Sequence, residues 1–186
     1  DYAPLLRESA ANPGNDHRLG ANEAPPAIIS VFLGEQLEDV LNQLCEKGEA
    51  TSSKEGTESN IGLATVPNFR MDATDRNRTS PFAFTGNKFE FRMVGSSASI
   101  ADANIVLNTI VAETLRQAAD ILEAADDVEM AAHDLIKKWV SEHIRIIFNG
   151  NGYSQEWVKE AARRGLPNIT NMVDAAGCLT DPETID

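Results

Sequence analysis

The chain has 186 residues, 42% of them hydrophobic and 24% charged, and its 16 basic against 29 acidic side chains give a net charge of −13. That size supports one sizeable core without disulfide staples, and the acidic balance excludes a general nucleic-acid coat or a basic membrane-surface protein. Cys45 and Cys178 are too few for a disulfide framework or a Cys-rich zinc site, and no run approaches the roughly 18–20 apolar residues of a transmembrane helix. No signal-peptide pattern opens the sequence. Its first residue is Asp1, which reads as the start of a mature protein or of a piece of something longer.

Residues 1–24 read as mostly irregular, with Asn12-Pro13-Gly14-Asn15 a turn cluster and Gly20-Ala21-Asn22 a second flexible stretch. A helix is expected from Pro25-Pro26, since proline fits a first turn. Ile28, Val31, Phe32, Leu37, Val40, Leu41 and Leu44 follow at helical spacing, and Gly48 stops the helix near Lys47. Residues 48–80 are polar and form a long loop with room for one short strand.

Phe82, Phe84, Phe89 and Phe91 then alternate with other residues around Thr85-Gly86-Asn87-Lys88. This predicts a hairpin of two short strands, buried on its Phe face. From Asp102 the chain reads as helical. One long helix ends near Ala125, and a second spans 128–148 and stops at Asn149-Gly150-Asn151-Gly152. A third runs from Ser154 to Arg164, closed by Gly165 and Pro167, and a short one follows over 170–176. There is no internal repeat and no second domain of convincing size.

The charge is uneven. From Arg76 to Arg92 the net charge is +3, from Arg76, Arg78, Lys88 and Arg92 against Glu90. Arginine's planar fork suits carboxylates and phosphates. In a strand, Lys88, Glu90 and Arg92 share one face and Phe89 and Phe91 the other. The basic and acidic face suits a metal-bound anionic substrate, but spacing alone favours a solvated face of exposed ion pairs, which are common. Arg18 and Glu23 lie in a Gly/Asn loop before the next element, where a mobile acid could close over a substrate. The same loop also reads as an ordinary helix entry capped by Asn22. His133 and His143 are ten apart, not at the i, i+4 spacing of a helical metal pair. Asn77-Arg78-Thr79 and Asn168-Ile169-Thr170 match a short sequon that is frequent by chance. The run from Glu35 to Glu58 holds seven acids and two lysines and reads as a solvated face and loop. No P-loop, GxGxxG, nucleophile elbow or zinc spacing is present.

Three stretches in order resemble the C-terminal part of the catalytic domain of glutamine synthetases, in particular the long type III enzymes. They are Asn15-Asp16-His17-Arg18-Leu19-Gly20-Ala21-Asn22-Glu23-Ala24-Pro25-Pro26, Asp75 to Ser80, and Pro81 to Arg92. Gly95-Ser96-Ser97-Ala98-Ser99, Asn104 and the long helix extend the likeness, which covers nearly all of residues 1–186.

The resemblance implies an α+β, helix-dominated piece of that domain with a small antiparallel sheet. It marks residues 33–75 as an insertion and 102–176 as a helical region. It also implies a cytoplasmic, homo-oligomeric enzyme that makes γ-glutamyl phosphate from glutamate and ATP with Mg²⁺ or Mn²⁺, ammonia then displacing phosphate. Arg18 matches the arginine on the glutamate carboxylate. Glu23 matches the flap glutamate that shields the acyl phosphate and takes a proton from ammonium. Arg78 matches an arginine on the transferring phosphoryl group, and Lys88 stands near the nucleotide phosphates. Glu90 matches a metal-binding carboxylate, and Arg92 a second substrate or phosphate arginine.

Two departures stand out. Arg18 and Glu23 are five apart, one fewer than in shorter classes, and the place of a further arginine in those classes falls at Ala83. The remaining metal ligands, the nucleotide pocket and a neighbouring subunit's small domain belong upstream in this family, so residues 1–186 alone are expected to be inactive. A ligase using another amine, or a non-catalytic module on the same scaffold, would carry the same pattern.

Overall fold

The computed structural model describes residues 1–21, 24–53 and 80–185, together with two short strands at 58–59 and 69–70. The fold is α+β and dominated by helices, as expected. In chain order its elements are α1 (Ala3–Glu8), α2 (Pro13–Arg18), β1 (Val31–Phe32), α3 (Glu35–Lys47), β2 (Glu58–Ser59), β3 (Phe69–Arg70), β4 (Phe82–Phe84) and β5 (Phe89–Phe91). Then come α4 (Ala101–Glu123), α5 (Val128–His143), α6 (Gln155–Arg163), α7 (Met172–Ala176) and α8 (Pro182–Ile185). Short 3₁₀ turns follow α5 and α7.

The first twenty residues are more regular than their composition suggests. Asn12 caps α2 by accepting a hydrogen bond from the Asn15 amide at 2.8 Å, and Pro13 occupies the first turn. What reads as a turn cluster is therefore a helix start: a side-chain acceptor precedes a proline whose missing N–H costs nothing there.

The helix expected from Pro25 begins ten residues later. Residues between Pro25 and Gly34 are extended, and β1 pairs in parallel with β4 in the register Val31↔Phe82 and Phe32↔Ala83. Proline biases its predecessor away from helix, and β-branched Ile28, Ile29 and Val31 favour a pleated backbone. On its other side the segment is stitched to residues 147–148: the Phe148 amide donates to the Val31 carbonyl at 3.0 Å. Gly34, at φ 80°, then turns the chain into α3. Gly48, at φ 84°, closes that helix with its amide on the Leu44 carbonyl, where the sequence places its end.

The hairpin forms as predicted. β4 and β5 are antiparallel, with Phe82↔Phe91, Ala83↔Glu90 and Phe84↔Phe89 opposed. The sheet β1-β4-β5 is thus mixed, with β1 its one parallel partner. The Phe rings share a face, with Phe84 and Phe89 centroids 5.2 Å apart. Burial of that face is only partial, since Phe89 is 52% exposed beside an apolar groove of about 320 Å³ that Trp139 and Val140 also line. β2 and β3 pair antiparallel, where a single strand is expected.

Most of the later helices have local signals. Asp127, Ser154 and Asn171 cap α5, α6 and α7, each side chain accepting a backbone N–H. α4 packs against α1 and α5, and α3 packs against α5.

Among the described residues two apolar clusters form. Leu6, Ala10, Ile29 and Met93 make the first, and Ile28, Trp157, Ala161 and Leu166 the second. Ile28 and Ile29 reach different clusters because successive side chains of extended backbone point to opposite sides.

Candidate functional site

β5 and the residues after it carry the charged face. Lys88 Nζ lies 3.5 Å and Arg92 Nε 3.2 Å from the Glu90 carboxylate, so the alternation places all three together. Hydrogen bonding from Arg92 foremost, then from Lys88, holds the Glu90 carboxyl below the usual range. Glu90 is therefore a carboxylate at neutral pH. Lys88 is exposed, whereas the Arg92 side chain is largely covered.

Arg18 reaches the same end of β5 from another element. It is the last residue of α2, and its Nε donates to Asn15 Oδ1 at 2.9 Å. Its Nη2 donates to the Met93 carbonyl, one residue beyond Arg92. Arg18 thus reaches the backbone immediately after Arg92, although Arg18 and Met93 stand 75 positions apart in sequence. Just beyond Arg18, the Gly20 amide donates to the carbonyls of Ala24 (3.2 Å) and Pro25 (3.0 Å). Gly20 has φ 80°, a conformation that strains other residues, and it pins the base of the loop. Glu23 and Arg78 lie outside the described residues.

The structure adds residues that composition does not single out. Arg7 is fully buried and donates to Asp16 Oδ1 at 2.6 Å and to the Ile169 carbonyl at 2.8 Å. Asp16 Oδ2 also accepts from the Met172 amide at 2.8 Å. This pair ties α1, α2 and the start of α7 together. No local pattern signals it, because its partners lie far apart in sequence. His133 bonds the Gly48 carbonyl and His143 faces Asp1, so both serve packing surfaces and neither joins the site. Ala83 has no exposed surface and opposes Glu90 in the sheet.

Among the described residues, no three His, Cys, Asp or Glu side chains converge as a metal centre. Glu90 is still the right kind of donor for a hard divalent cation: an ionised carboxylate on a rigid strand. It would be one ligand of several, and a cation there would compete with Arg92 and Lys88 for its oxygens.

Comparison with known proteins decides the family. A family model described as the glutamine synthetase C-terminal domain matches residues 131–186. A "Type-3 glutamine synthetase" of Dictyostelium discoideum is 48% identical over 187 residues, covering 99% of this chain and 25% of that protein. The chain belongs to the glutamine synthetase family. A "Glutamine synthetase" of Bacteroides fragilis (strain YCH46) is 45% identical over 97% of the chain, and one of Butyrivibrio fibrisolvens is 44% identical over 100%. The chain spans about a quarter of the length of these curated relatives. Arg18, Lys88, Glu90 and Arg92 all precede the stretch matched by the family model, so only the alignments with the curated relatives extend over them. Among the described residues no helix is long and apolar enough to cross a membrane.

Proposed function

We propose that this chain supplies one wall of the active site of a cytoplasmic, homo-oligomeric glutamate–ammonia ligase. In that reaction a γ-carboxylate oxygen of glutamate attacks the γ-phosphorus of ATP and ADP leaves. The nitrogen of ammonia then attacks the acyl carbon, phosphate departs with the C–O electron pair, and Glu23 takes the surplus proton. Arg18, from α2, is anchored on the backbone carbonyl just after Arg92, which itself pairs with an ionised Glu90, and this observation carries the reading.

Arg18 binds a substrate carboxylate, and Arg92 takes a second carboxylate or phosphate oxygen. Arg78 and Lys88 neutralise the transferring phosphoryl group and the nucleotide. Phosphoryl transfer needs positioning and charge stabilisation more than covalent help, which suits a set of cations. Mg²⁺ or Mn²⁺ would supply Lewis acidity to the phosphates, with Glu90 as one ligand. Glu23, in the loop pinned by Gly20, shields the acyl phosphate from water.

The test uses the full-length polypeptide that carries this sequence, assayed for glutamine and phosphate release together. Glu90→Ala is expected to reduce glutamine formation by about 10²-fold or more, the scale for losing a group that stabilises transition-state charge. Near-normal turnover in that variant overturns the reading. Residues 1–186 alone are expected to form no glutamine, and measurable synthesis by them overturns the claim that the site is shared with other segments.

A further inference from the structure

We propose that Asn15 is a positioning residue for Arg18: it fixes which edge of the guanidinium meets the substrate and thereby sets affinity for glutamate. The inference rests on the reading of Arg18 given above.

Asn15 is 2% exposed, and its amide is committed in three directions. Nδ2 donates to the Ala10 carbonyl at 2.7 Å and to the Met93 carbonyl at 3.0 Å. Both amide hydrogens are therefore taken, and a flipped amide would set its oxygen against two carbonyl oxygens. The orientation is fixed, and it aims Oδ1 at Arg18 Nε. The backbone under it is fixed as well, through the Asn12 cap on its amide and the Leu19 amide on its carbonyl.

A guanidinium has two edges that can grip a carboxylate in bidentate fashion. One is formed by Nε and the neighbouring Nη, the other by the two Nη atoms. In Arg18 the first edge is spent on the protein: Nε binds Asn15 Oδ1, and Nη2 binds the Met93 carbonyl. That carbonyl also accepts from Asn15, so one oxygen locks both side chains to the end of β5. The Nη1/Nη2 edge is left for the substrate carboxylate. Asn15 touches no substrate in this arrangement. It acts by holding a long, flexible side chain in one pose before the ligand arrives, which lowers the ordering cost of binding. Burial prevents water from replacing the bond when Asn15 is removed.

The experiment measures KM for glutamate and for ATP separately in the full-length enzyme. Asn15→Ala is expected to raise glutamate KM about tenfold with ATP KM little changed, the size of one lost hydrogen bond to a charged group. In an Arg18→Ala background the same change is expected to add nothing. Ser9→Ala removes another buried hydrogen bond of the first cluster, Ser9 Oγ to the Leu6 carbonyl at 2.8 Å, without touching Arg18. It is expected to lower the unfolding midpoint and leave glutamate KM alone. If Asn15→Ala does not fold, Asn12→Ala loosens the same node through its backbone and is expected to raise glutamate KM about twofold to threefold. Unchanged glutamate KM, or glutamate and ATP KM rising together, overturns the positioning role. If Arg18→Ala itself leaves glutamate KM unchanged, the assignment of Arg18 fails instead.

Discussion

Ile28 and Ile29 are neighbours in the chain and belong to different cores, and the two cores are built by different means. The second core is apolar and aromatic. Trp157 stacks on Phe148 with centroids 3.7 Å apart, and the Arg164 guanidinium lies 5.5 Å above the Trp157 ring. Phe148 in turn lies so close to Gly150 that a Cβ there would stand 2.7 Å from the ring. The first core is bordered by buried polar side chains, Arg7, Ser9 and Asn15, and Arg18 stands at its edge on the Met93 carbonyl. One cluster is held by apolar and aromatic contacts, while the other is bordered by polar side chains, one of which bonds Arg18. A buried polar network is rigid when satisfied and costly when broken.

The largest effect is expected at the second core. Trp157→Ala should cost about 4 kcal/mol in urea unfolding, as for other large aromatic-to-alanine changes in a core. At temperatures where the full-length enzyme stays folded, its glutamate KM should remain unchanged. A raised KM would show that the two cores do not act separately.

Asp16→Ala should cost slightly less, about 3 kcal/mol, because it leaves the Arg7 charge buried without its partner. Unlike the tryptophan variant, it should also raise glutamate KM, since Asp16 holds the helix that presents Arg18. A loss of stability with unaltered KM would reduce the Arg7–Asp16 pair to a structural clamp.

The two regions also differed in how far their sequence could be read. The C-terminal helices carry their own start and stop signals. Ser154 caps α6 three residues before the amide it accepts, and Gly165, at φ 70°, follows its end. The charged face after Gly86 was legible for a similar reason, because strand alternation is local. The stretch from Pro25 to Gly34 was not. Ile28, Val31 and Phe32 match helical spacing, yet pairing with β4 on one side and residues 147–148 on the other holds it extended. The entry to α3 is likewise set from afar, by Asn149, whose Oδ1 accepts the Leu33 and Gly34 amides at 3.0 Å and whose Nδ2 donates to Glu38 at 2.6 Å. At the candidate site, the shared face of Lys88, Glu90 and Arg92 followed from strand alternation. Asn15 and Arg7 did not, since they act through Met93 and Ile169, 78 and 162 positions away.

The smallest effect belongs to the rim of the second core and depends on pH. Glu160 bonds Arg163 and Arg164, and Arg164 also bonds the Ile147 carbonyl beside Phe148. Hydrogen bonds from Arg163 first, then Arg164, pull the Glu160 carboxyl from 4.5 to about 2. A carboxyl whose folded value is lowered stabilises the fold fully above its unfolded value and loses that contribution as pH falls through the folded one. Wild type and Glu160→Gln should therefore differ most above about pH 4.5, converge as pH falls to about 2, and coincide below it. Arg163 is exposed and Glu160 and Arg164 are partly exposed, so the difference should be small and should shrink further with added salt. Thermal midpoints taken across that range at two ionic strengths measure both trends. A gap that persists at the acid end would mean that Glu160 supports Trp157 through packing of its side chain rather than through its charge.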